Sequence, residues 1–254
     1  MIRFENVSKK FGKKVVLDEA DFEIRDNETF VIVGLSGAGK SVTLKHMLGL
    51  LSPDSGRVLV GDDVVNESTG KDLDRIRSRF GVLFQSGALL QWMSSGDNVA
   101  LPLREHTDMP EDEITKLVRE KLALVQLEEA IDKFPANLSG GMRKRVALAR
   151  AIITNPEIIL YDEPTSGLDP VTSRTIDKLI DDTRKGLGVI SVVVTHDLHS
   201  ALAIGTRIAM LHQGRIIELA TPQEFVNSKN EIVQSFLEAQ YITKAGFWEK
   251  DVKR

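Results

Sequence analysis

A buried strand that runs directly into a glycine-rich loop is the feature that most constrains how this chain can fold. The run Phe30–Val33 is continuously apolar, as expected of a central strand covered on both faces. The segment Gly34–Ser41 follows it and matches the pattern G-x-x-x-x-G-K-[ST] at every position, and a helical pattern then extends through Met47 and Leu50. This strand–loop–helix unit predicts an α/β fold with a phosphate-binding loop.

The residue types in this loop suit phosphate chemistry. Glycines allow the backbone to curl so that its N–H groups point at phosphate oxygens, and the helix N-terminus adds partial positive charge. Lys40 is predicted to reach the β- and γ-phosphates, and the Ser41 hydroxyl to bind Mg²⁺. The predicted nucleotide-binding residues of this segment are Gly34, Leu35, Ser36, Gly37, Ala38, Gly39, Lys40, Ser41 and Val42.

Two carboxylates follow a second apolar strand. Asp162 and Glu163 come directly after Ile158–Tyr161, at the strand end where open α/β sheets bind ligands. Asp162 is predicted to hold Mg²⁺ through its water shell, and Glu163 to orient the attacking water as general base. Taken alone, paired acids after an apolar strand are more often a solvated strand end.

The remaining patterns predict the layout of the chain. Val16–Ile24 partly alternates apolar and acidic residues, which is typical of a half-buried antiparallel strand, and Arg57–Val65 is also strand-like. Residues 72–134 are predicted to be mostly helical and to form an inserted lobe. From Ser139 onward helices alternate with buried strands such as Val189–Thr195, which predicts a mainly parallel sheet.

A short run in the helical region adds a family resemblance. The signature segment Leu138–Met142 reads LSGGM and resembles the LSGGQ signature of ABC-type ATPases, with Met142 where glutamine is usual. The D-loop segment Pro164–Asp169, directly after Glu163, is similar to the loop of that name in the same family.

The resemblance implies a P-loop NTPase fold of the ABC type. Its parts would be a mainly parallel core sheet, an N-terminal antiparallel β subdomain and a helical subdomain inserted at about residues 86–155. The expected division is an ATPase domain over residues 1–228 and a C-terminal extension over residues 229–254. The expected cofactors are ATP and Mg²⁺.

In this family the signature closes over the γ-phosphate held by a neighbouring subunit. The resemblance therefore implies that Ser139, Gly140 and Gly141 serve the partner's nucleotide and that the chain works as a homodimer. We expect Met142 to be tolerated, because the serine and both glycines are retained. The basic residues that follow, Arg143 to Arg145, are predicted to form a solvated face.

Three further positions take their roles from the resemblance. His196, directly after the strand Val192–Thr195, matches the catalytic histidine that contacts the γ-phosphate. Gln85 matches the glutamine that contacts the nucleotide-bound metal and links it to the helical lobe. Phe11 matches the aromatic residue that stacks on adenine, although a phenylalanine near a strand end could equally belong to the core.

A narrower resemblance concerns the transporter branch. The segments Gly39–His46, Phe84–Leu90 and Asp97–Thr107 are similar to the ATPases of Mla/Mce-associated lipid transporters. This resemblance implies integral permease subunits that dock near Gln85–Thr107, a lipid-binding partner of the MCE type, and a peripheral position at the cytoplasmic face of the inner membrane. An ABC ATPase for a different substrate and a soluble ABC regulator are the alternatives.

Composition excludes some classes of partner. The formal net charge of -4 gives no global attraction to nucleic acid, so none is expected as a partner. The sequence has 0 Cys, which removes disulfides and cysteine metal sites. No run approaches the roughly 20 apolar residues that a membrane-spanning helix needs, so any membrane role is expected to depend on a partner.

Two groups of apolar residues keep alternative interpretations. Leu89, Leu90, Trp92 and Met93 could contact a permease helix or close the core of the helical lobe. In the C-terminal extension, aromatic residues suggest docking on a partner or on the second ATPase subunit, and a frayed tail is the alternative. These aromatic residues are Phe236, Tyr241, Phe247 and Trp248.

Overall fold

The computed structural model describes residues 1–242, so Phe247 and Trp248 lie outside the described residues. The strands are β1 (Ile2–Phe11), β2 (Lys14–Ile24), β3 (Thr29–Val33), β4 (Ser55–Val60), β5 (Asp63–Val64), β6 (Phe80–Leu83), β7 (Ile158–Asp162), β8 (Ile190–Thr195), β9 (Arg207–His212) and β10 (Arg215–Ala220). The helices are α1 (Lys40–Met47), α2 (Gly70–Arg77), α3 (Ser95–His106), α4 (Glu111–Leu124), α5 (Gly140–Ile152), α6 (Pro170–Leu187), α7 (Leu198–Ile204), α8 (Pro222–Val226) and α9 (Glu231–Glu238).

The core sheet has the strand order β10-β9-β3-β8-β7-β6, and every pair except β9–β10 is parallel. Both of its faces are buried. In β3, Phe30 and Ile32 belong to one apolar cluster, and Val31 and Val33 belong to the other. This double burial explains the continuous apolar runs in the sequence. The prediction of a mainly parallel core sheet is confirmed.

A second, antiparallel sheet has the order β2-β1-β4-β5. Phe4 stacks on Phe22 with ring centroids 4.5 Å apart, and Phe22 stacks on Phe30 of the core sheet at 5.6 Å. These stacked aromatic contacts join the two sheets through one apolar cluster. The predicted N-terminal antiparallel subdomain is therefore present.

The helical lobe lies between β6 and β7 in the chain. Ile114, Val118 and Leu122 on α4 are buried at helical spacing. They belong to the larger of the two apolar clusters, the one that contains Val31 and Val33. The region predicted to be mostly helical, residues 72–134, also contains β6, which belongs to the core sheet. The region is mostly helical as predicted, and its short apolar run at β6 pairs with β7.

The apolar residues at the start of the lobe were expected either to close its core or to contact a permease helix, and they do not all lie in the same environment. Leu89 is buried within the larger cluster, whereas Trp92 is 75 % exposed. The segment of residues 90–93 is fixed by the buried Asn98, whose side-chain amide donates to the carbonyl oxygens of Leu90 and Met93 at 3.0 and 3.2 Å. Leu89 therefore closes the lobe, and Trp92 is presented to the outside.

Two hairpins were not predicted. Arg57–Val65, expected as one strand, turns at Gly61 (φ 63°) into β4 and β5. The β9–β10 hairpin turns at Gln213 and Gly214, which have φ values of 48° and 84°. Left-handed conformations at both central residues match the right-handed twist of a hairpin. An apolar run followed by Gln-Gly was the available sequence signal.

The beginning of the C-terminal extension is packed onto the domain. Val233, Phe236 and Leu237 of α9 are buried in the larger cluster, together with Ile242. The division between residues 1–228 and residues 229–254 remains a prediction. Within residues 1–242, no helix has the length and apolar character needed to cross a bilayer.

The contact between α5 and β6 leads to a stability prediction. A Cβ at Gly81 would lie 2.1 Å from the carbonyl oxygen of Ala151, so alanine there forces the helix away from the sheet. We expect Gly81→Ala to lower the free energy of unfolding by about 1–3 kcal/mol, as overpacking does. Chemical denaturation followed by circular dichroism measures it.

The matched control is Gly186→Ala. Gly186 lies in α6 and a Cβ there meets nothing within 4 Å, so alanine should stabilise the helix by about 0.5–1 kcal/mol. Equal effects of the two substitutions would contradict the close approach at Gly81.

Candidate active site

Four loops meet at one edge of the core sheet. The P-loop, Gly34–Ser41, follows β3, and Glu163 follows β7. His196 follows β8, and Gln85 follows β6. Because these strands are parallel, their carboxyl ends share one edge, where ligands bind in α/β sheets.

The P-loop geometry depends on two glycines with no room for a side chain. Gly34 and Gly39 have φ values of 155° and 108°. A Cβ would lie 2.4 Å from the carbonyl oxygen of Leu211 at Gly34, and 2.8 Å from that of Val16 at Gly39. The loop therefore keeps its curled path only with glycine at both positions, and α1 begins directly after it at Lys40.

A cavity of about 790 Å³ opens above the P-loop. The predicted site residues that line it are Phe11, Leu35, Ser36, Gly37, Gly39, Lys40, Ser41, Val42, Gln85, Glu163 and His196. Gly34 and Ala38 belong to the loop and are not part of this lining, and Ala38 packs against the smaller apolar cluster, which contains Phe30 and Ile32. The volume and the convergent polar groups suit a nucleotide.

A candidate metal site lies beside the loop. Ser41 Oγ donates to Asp162 Oδ1 at 2.9 Å. Burial raises the pKa of Asp162, and the hydrogen bond from Ser41 opposes that shift. A hydroxyl and a carboxylate at this distance fit Mg²⁺, which takes oxygen ligands and keeps several waters. Gln85 donates through Nε2 to Ser166 Oγ at 3.4 Å, and its role as a metal contact remains a prediction.

Glu163 is held from several directions. Its Oε2 accepts hydrogen bonds from Thr195 Oγ1 and the backbone N–H of His196, both at 3.3 Å. His196 Nδ1 lies 2.8 Å from the same oxygen, and Lys40 Nζ lies 3.5 Å from Oε1. Glu163 also has a left-handed backbone with φ 47°, a strained conformation of the kind that clusters at functional sites. The carboxylate is therefore held beside Lys40 and His196, the residues predicted to contact a γ-phosphate.

Lys40 is the P-loop residue of this set. Its Nζ donates to the carbonyl oxygens of Gly34 and Leu35 at 2.8 and 3.3 Å, and its side chain is buried. Phe11 lies at the end of β1 with half of its surface exposed, which excludes the core alternative. Stacking of Phe11 on adenine remains a prediction.

The signature segment lies elsewhere on the chain. Ser139 caps α5, and its hydroxyl accepts from the backbone N–H of Met142 at 3.2 Å. A Cβ at Gly141 would lie 2.4 Å from Thr172 Cγ2, and one at Gly140 would lie 3.2 Å from a Leu168 methyl group. The two glycines therefore let the start of α5 touch the D-loop and α6. Met142 is partly buried and packs against the larger cluster.

The predicted solvated face of Arg143 to Arg145 was wrong, because all three side chains make contacts. Lys144 is 5 % exposed and donates to the carbonyl oxygens of Gln85 and Glu163, the latter at 3.1 Å. Burial lowers the pKa of Lys144 to about 8. Arg143 donates to the Leu138 carbonyl at 2.7 Å. Arg145 donates to the carbonyls of Val125 and Gln126, both at 3.2 Å. These basic residues tie α5 to the catalytic edge and to the lobe.

Sequence reasoning also missed Gln240. It follows α9, lines the same cavity as the P-loop and bonds to the loop after β8. Lys144 lies next to the signature segment, which was a usable signal, whereas no motif contains Gln240.

Comparison with known proteins identifies the family. A family model described as ABC transporter matches residues 17–166, more than half of the chain. The chain belongs to the ABC transporter family. It is an ATPase of that family, with ATP as its nucleotide and Mg²⁺ as its metal.

Curated relatives of this ABC ATPase carry different substrate names. A probable ribonucleotide transport ATP-binding protein, mkl, from Mycobacterium leprae is 40% identical over 98% of this chain and 72% of its own length. The intermembrane phospholipid transport system ATP-binding protein MlaF of Haemophilus influenzae is 36% identical over 94% of this chain and 91% of its own. The methionine import ATP-binding protein MetN of Clostridioides difficile is 41% identical over 88% of this chain and 70% of its own.

A solved structure agrees with the fold. It is a dimeric, post-hydrolysis state of an ATP-binding cassette bound to ADP and Pi. It superposes on this ABC ATPase with a TM-score of 0.80 and 34% sequence identity, over 87% of this chain and 99% of that chain.

Behind the site lies a buried polar network. Asp177 on α6 is 3 % exposed, and its Oδ2 lies 3.0 Å from Ser200 Oγ and 2.9 Å from Arg174 Nη1. Ser200 Oγ is also 3.0 Å from Asp197 Oδ2, and its single proton can serve only one carboxylate. Burial raises the pKa of Asp177 to about 6, against the opposing charge of Arg174.

This raised pKa predicts a pH dependence of stability. An acid whose pKa is higher in the folded state stabilises the fold at low pH, and this contribution is lost as the pH rises through the folded value. As the pH rises from about 4 to above 6, the free energy of unfolding of the wild type should fall by about 2–3 kcal/mol relative to that of Asp177→Asn.

Urea titrations across that pH range measure the difference. Asp182→Asn, at an exposed position on the same helix, is the control and should follow the wild-type profile. Parallel profiles for the wild type and Asp177→Asn would contradict the shift.

Proposed function

We propose that this ABC ATPase drives a transporter that moves lipids, most simply phospholipids, between membranes. It would act as a homodimer in which each nucleotide is held by both chains. The homodimer proposal rests on the separation of the P-loop cavity from the signature segment within one chain. Among the described residues that line the P-loop cavity, none comes from Leu138–Met142. Each chain would therefore need the signature of a partner.

The P-loop would bind the nucleotide. Its backbone N–H groups and the N-terminus of α1 face the phosphates, and Lys40 would exchange its carbonyl contacts for β- and γ-phosphate oxygens. Ser41 and Asp162 would hold Mg²⁺, with Gln85 as a further contact, and this ion would neutralise charge on the phosphates. Phe11 would stack on the adenine.

Glu163 would accept a proton from the attacking water. Its carboxylate is oriented by Thr195 and by the backbone of His196, so it needs little rearrangement before reaction. His196 would contact the γ-phosphate while its Nδ1 stays on Glu163. Ser139 at the capped N-terminus of α5 would complete the partner's site, where helix N–H groups favour a phosphate.

A groove between the core sheet and the helical lobe supports a permease partner. It is a cavity of about 980 Å³ whose lining includes Phe84, Leu101, Pro102, His106 and Arg150. Phe84 is 42 % exposed, and a lining with both apolar and charged residues suits an amphipathic helix. We assign the permease contact to this groove, within the region near Gln85–Thr107.

The lipid assignment rests on similarity to the lipid-transport branch. The segments of residues 84–90 and 97–107 and the MlaF relative support it. A lipid-binding partner of the MCE type and a position on the cytoplasmic face of the inner membrane follow from that proposal. The second candidate is an ATPase for another substrate, which the methionine import relative favours.

The composite site makes opposite predictions for two mixed dimers. One dimer combines Lys40→Ala in one chain with Ser139→Arg in the other. If each site needs Lys40 of one chain and Ser139 of its partner, this dimer keeps one intact site and hydrolyses ATP. A dimer of the double variant with the wild type has no intact site and should be inactive.

Two affinity tags isolate each mixed dimer, and phosphate release measures its activity. If one chain carried a complete site, the first dimer would be inactive and the second active. That reversed pattern would refute the shared site.

The transport proposal predicts co-purification from detergent-solubilised membranes. The tagged chain should bring down an integral multi-span protein together with phospholipid that mass spectrometry detects. Leu101→Arg places a charge in the groove and should abolish this association, whereas Leu124→Arg, at an exposed apolar position outside the groove lining, should not.

Other outcomes separate the alternatives. A membrane partner that carries methionine or ribonucleotide would replace the lipid proposal. Absence of any membrane partner would favour a regulatory ATPase.

A further inference from the structure

A single glutamine joins the C-terminal segment to the loop that carries the catalytic histidine. Gln240 Nε2 donates to the carbonyl oxygen of His196 at 2.8 Å. The backbone N–H of Leu198 donates to Gln240 Oε1 at 2.9 Å. One planar amide therefore satisfies a backbone acceptor and a backbone donor on either side of Asp197, and it fixes the path of the loop between them.

The turn that carries Gln240 is itself fixed. The backbone N–H of Ile242 donates to the Leu237 carbonyl at 3.1 Å, and that of Tyr241 donates to the Glu238 carbonyl at 2.9 Å. Tyr241 has a left-handed φ of 57°, and Ile242 is buried. This is the Schellman arrangement that ends a helix with an apolar residue packed behind it. The turn holds Gln240 at a set position relative to α9.

The helix behind that turn is anchored in the domain. Asn230 caps α9 by accepting from the backbone N–H of Ile232, and Val233, Phe236 and Leu237 are buried. Phe236 and Gln240 also line the cavity above the P-loop. The C-terminal segment thus forms one wall of the nucleotide site.

His196 is held from two sides. Its backbone N–H and its Nδ1 bond to Glu163, and its carbonyl oxygen bonds to Gln240. The imidazole itself is 61 % exposed, so packing does little to hold it. The ring is therefore placed by its own bond to Glu163 and by the backbone hydrogen bonds of His196, and Gln240 supplies the backbone bond that comes from the C-terminal segment.

We propose that Gln240 is a positioning residue for ATP hydrolysis. Its amide fixes the backbone of His196 and thereby places the imidazole at the γ-phosphate, so the C-terminal segment sets the hydrolysis rate. This inference rests on the role given to His196 in the proposed function. Gln240 acts through His196 and need not touch the nucleotide.

The test uses the full chain and two substitutions. Gln240→Met keeps the length of the side chain and removes both hydrogen bonds. Gln240→Glu keeps the acceptor for Leu198 and removes only the donor to His196, so it tests the same bond if the first variant fails to fold. Because a displacement of about 1 Å near the chemistry can lower a rate by up to about 100-fold, we expect kcat to fall about 10-fold. In Gln240→Met, KM for ATP should stay near the wild-type value, because the substitution adds no charge to the cavity.

Glu238→Gln is the matched control. Glu238 is exposed on α9, its backbone makes the same turn, and its side chain lies outside the cavity lining. This variant should hydrolyse ATP at the wild-type rate. A fall in kcat equal to that of Gln240→Met would show that any change in α9 slows hydrolysis and would overturn the proposal.

A double variant separates this inference from the proposed function. His196→Ala alone tests the role of the histidine, and normal turnover in it would refute that role. In the His196→Ala background, Gln240→Met should lower the residual rate no further, because both act through one group. A normal kcat for both Gln240 variants with an inactive His196→Ala would overturn the Gln240 proposal alone. An equal fall in both backgrounds would overturn it too.

Discussion

The whole site depends on parallel strands ending at one edge of the core sheet. Val33 pairs with Thr195, and Asp162 pairs with Val194. This register brings the P-loop, the acidic pair and His196 together at the carboxyl ends of the strands. A shift of one residue in any strand would exchange its buried faces and move these groups apart. The two apolar clusters, one on each face, hold that register, so the catalytic geometry is a consequence of core packing.

A small number of hydrogen bonds connect the helical lobe to that edge of the sheet. Lys144 bridges the carbonyls of Gln85 and Glu163, and Arg150 donates to the carbonyls of Gly87 and Ala88 at 2.8 and 2.7 Å. On the opposite side of the site, Gln240 makes a comparable tie to the loop after β8. The catalytic edge is therefore reached from the lobe and from the C-terminal segment.

Much of the fold and the site could be predicted because the relevant residues are neighbours in sequence. The curl of Gly34–Ser41 and the acids after β7 follow from local geometry and from burial of a strand. The errors concern contacts made far along the chain. Lys144 was expected in solvent, yet its partner Gln85 comes from another loop, and Gln240 meets His196 only after α9 has packed. The β9–β10 hairpin is different, since its Gln-Gly turn was readable and was overlooked.

The signature segment shows which letters of a motif the structure enforces. A Cβ at Gly141 would lie 2.4 Å from Thr172 Cγ2, so the threonine would have to move, whereas Met142 is partly buried at the margin of the larger apolar cluster. The close approach to α6 therefore constrains the fourth letter of the motif, and the fifth letter meets only the margin of the apolar cluster. A search that requires the terminal glutamine would overlook this chain. One that pairs the glycines with a β-branched residue at the start of the following helix would find it.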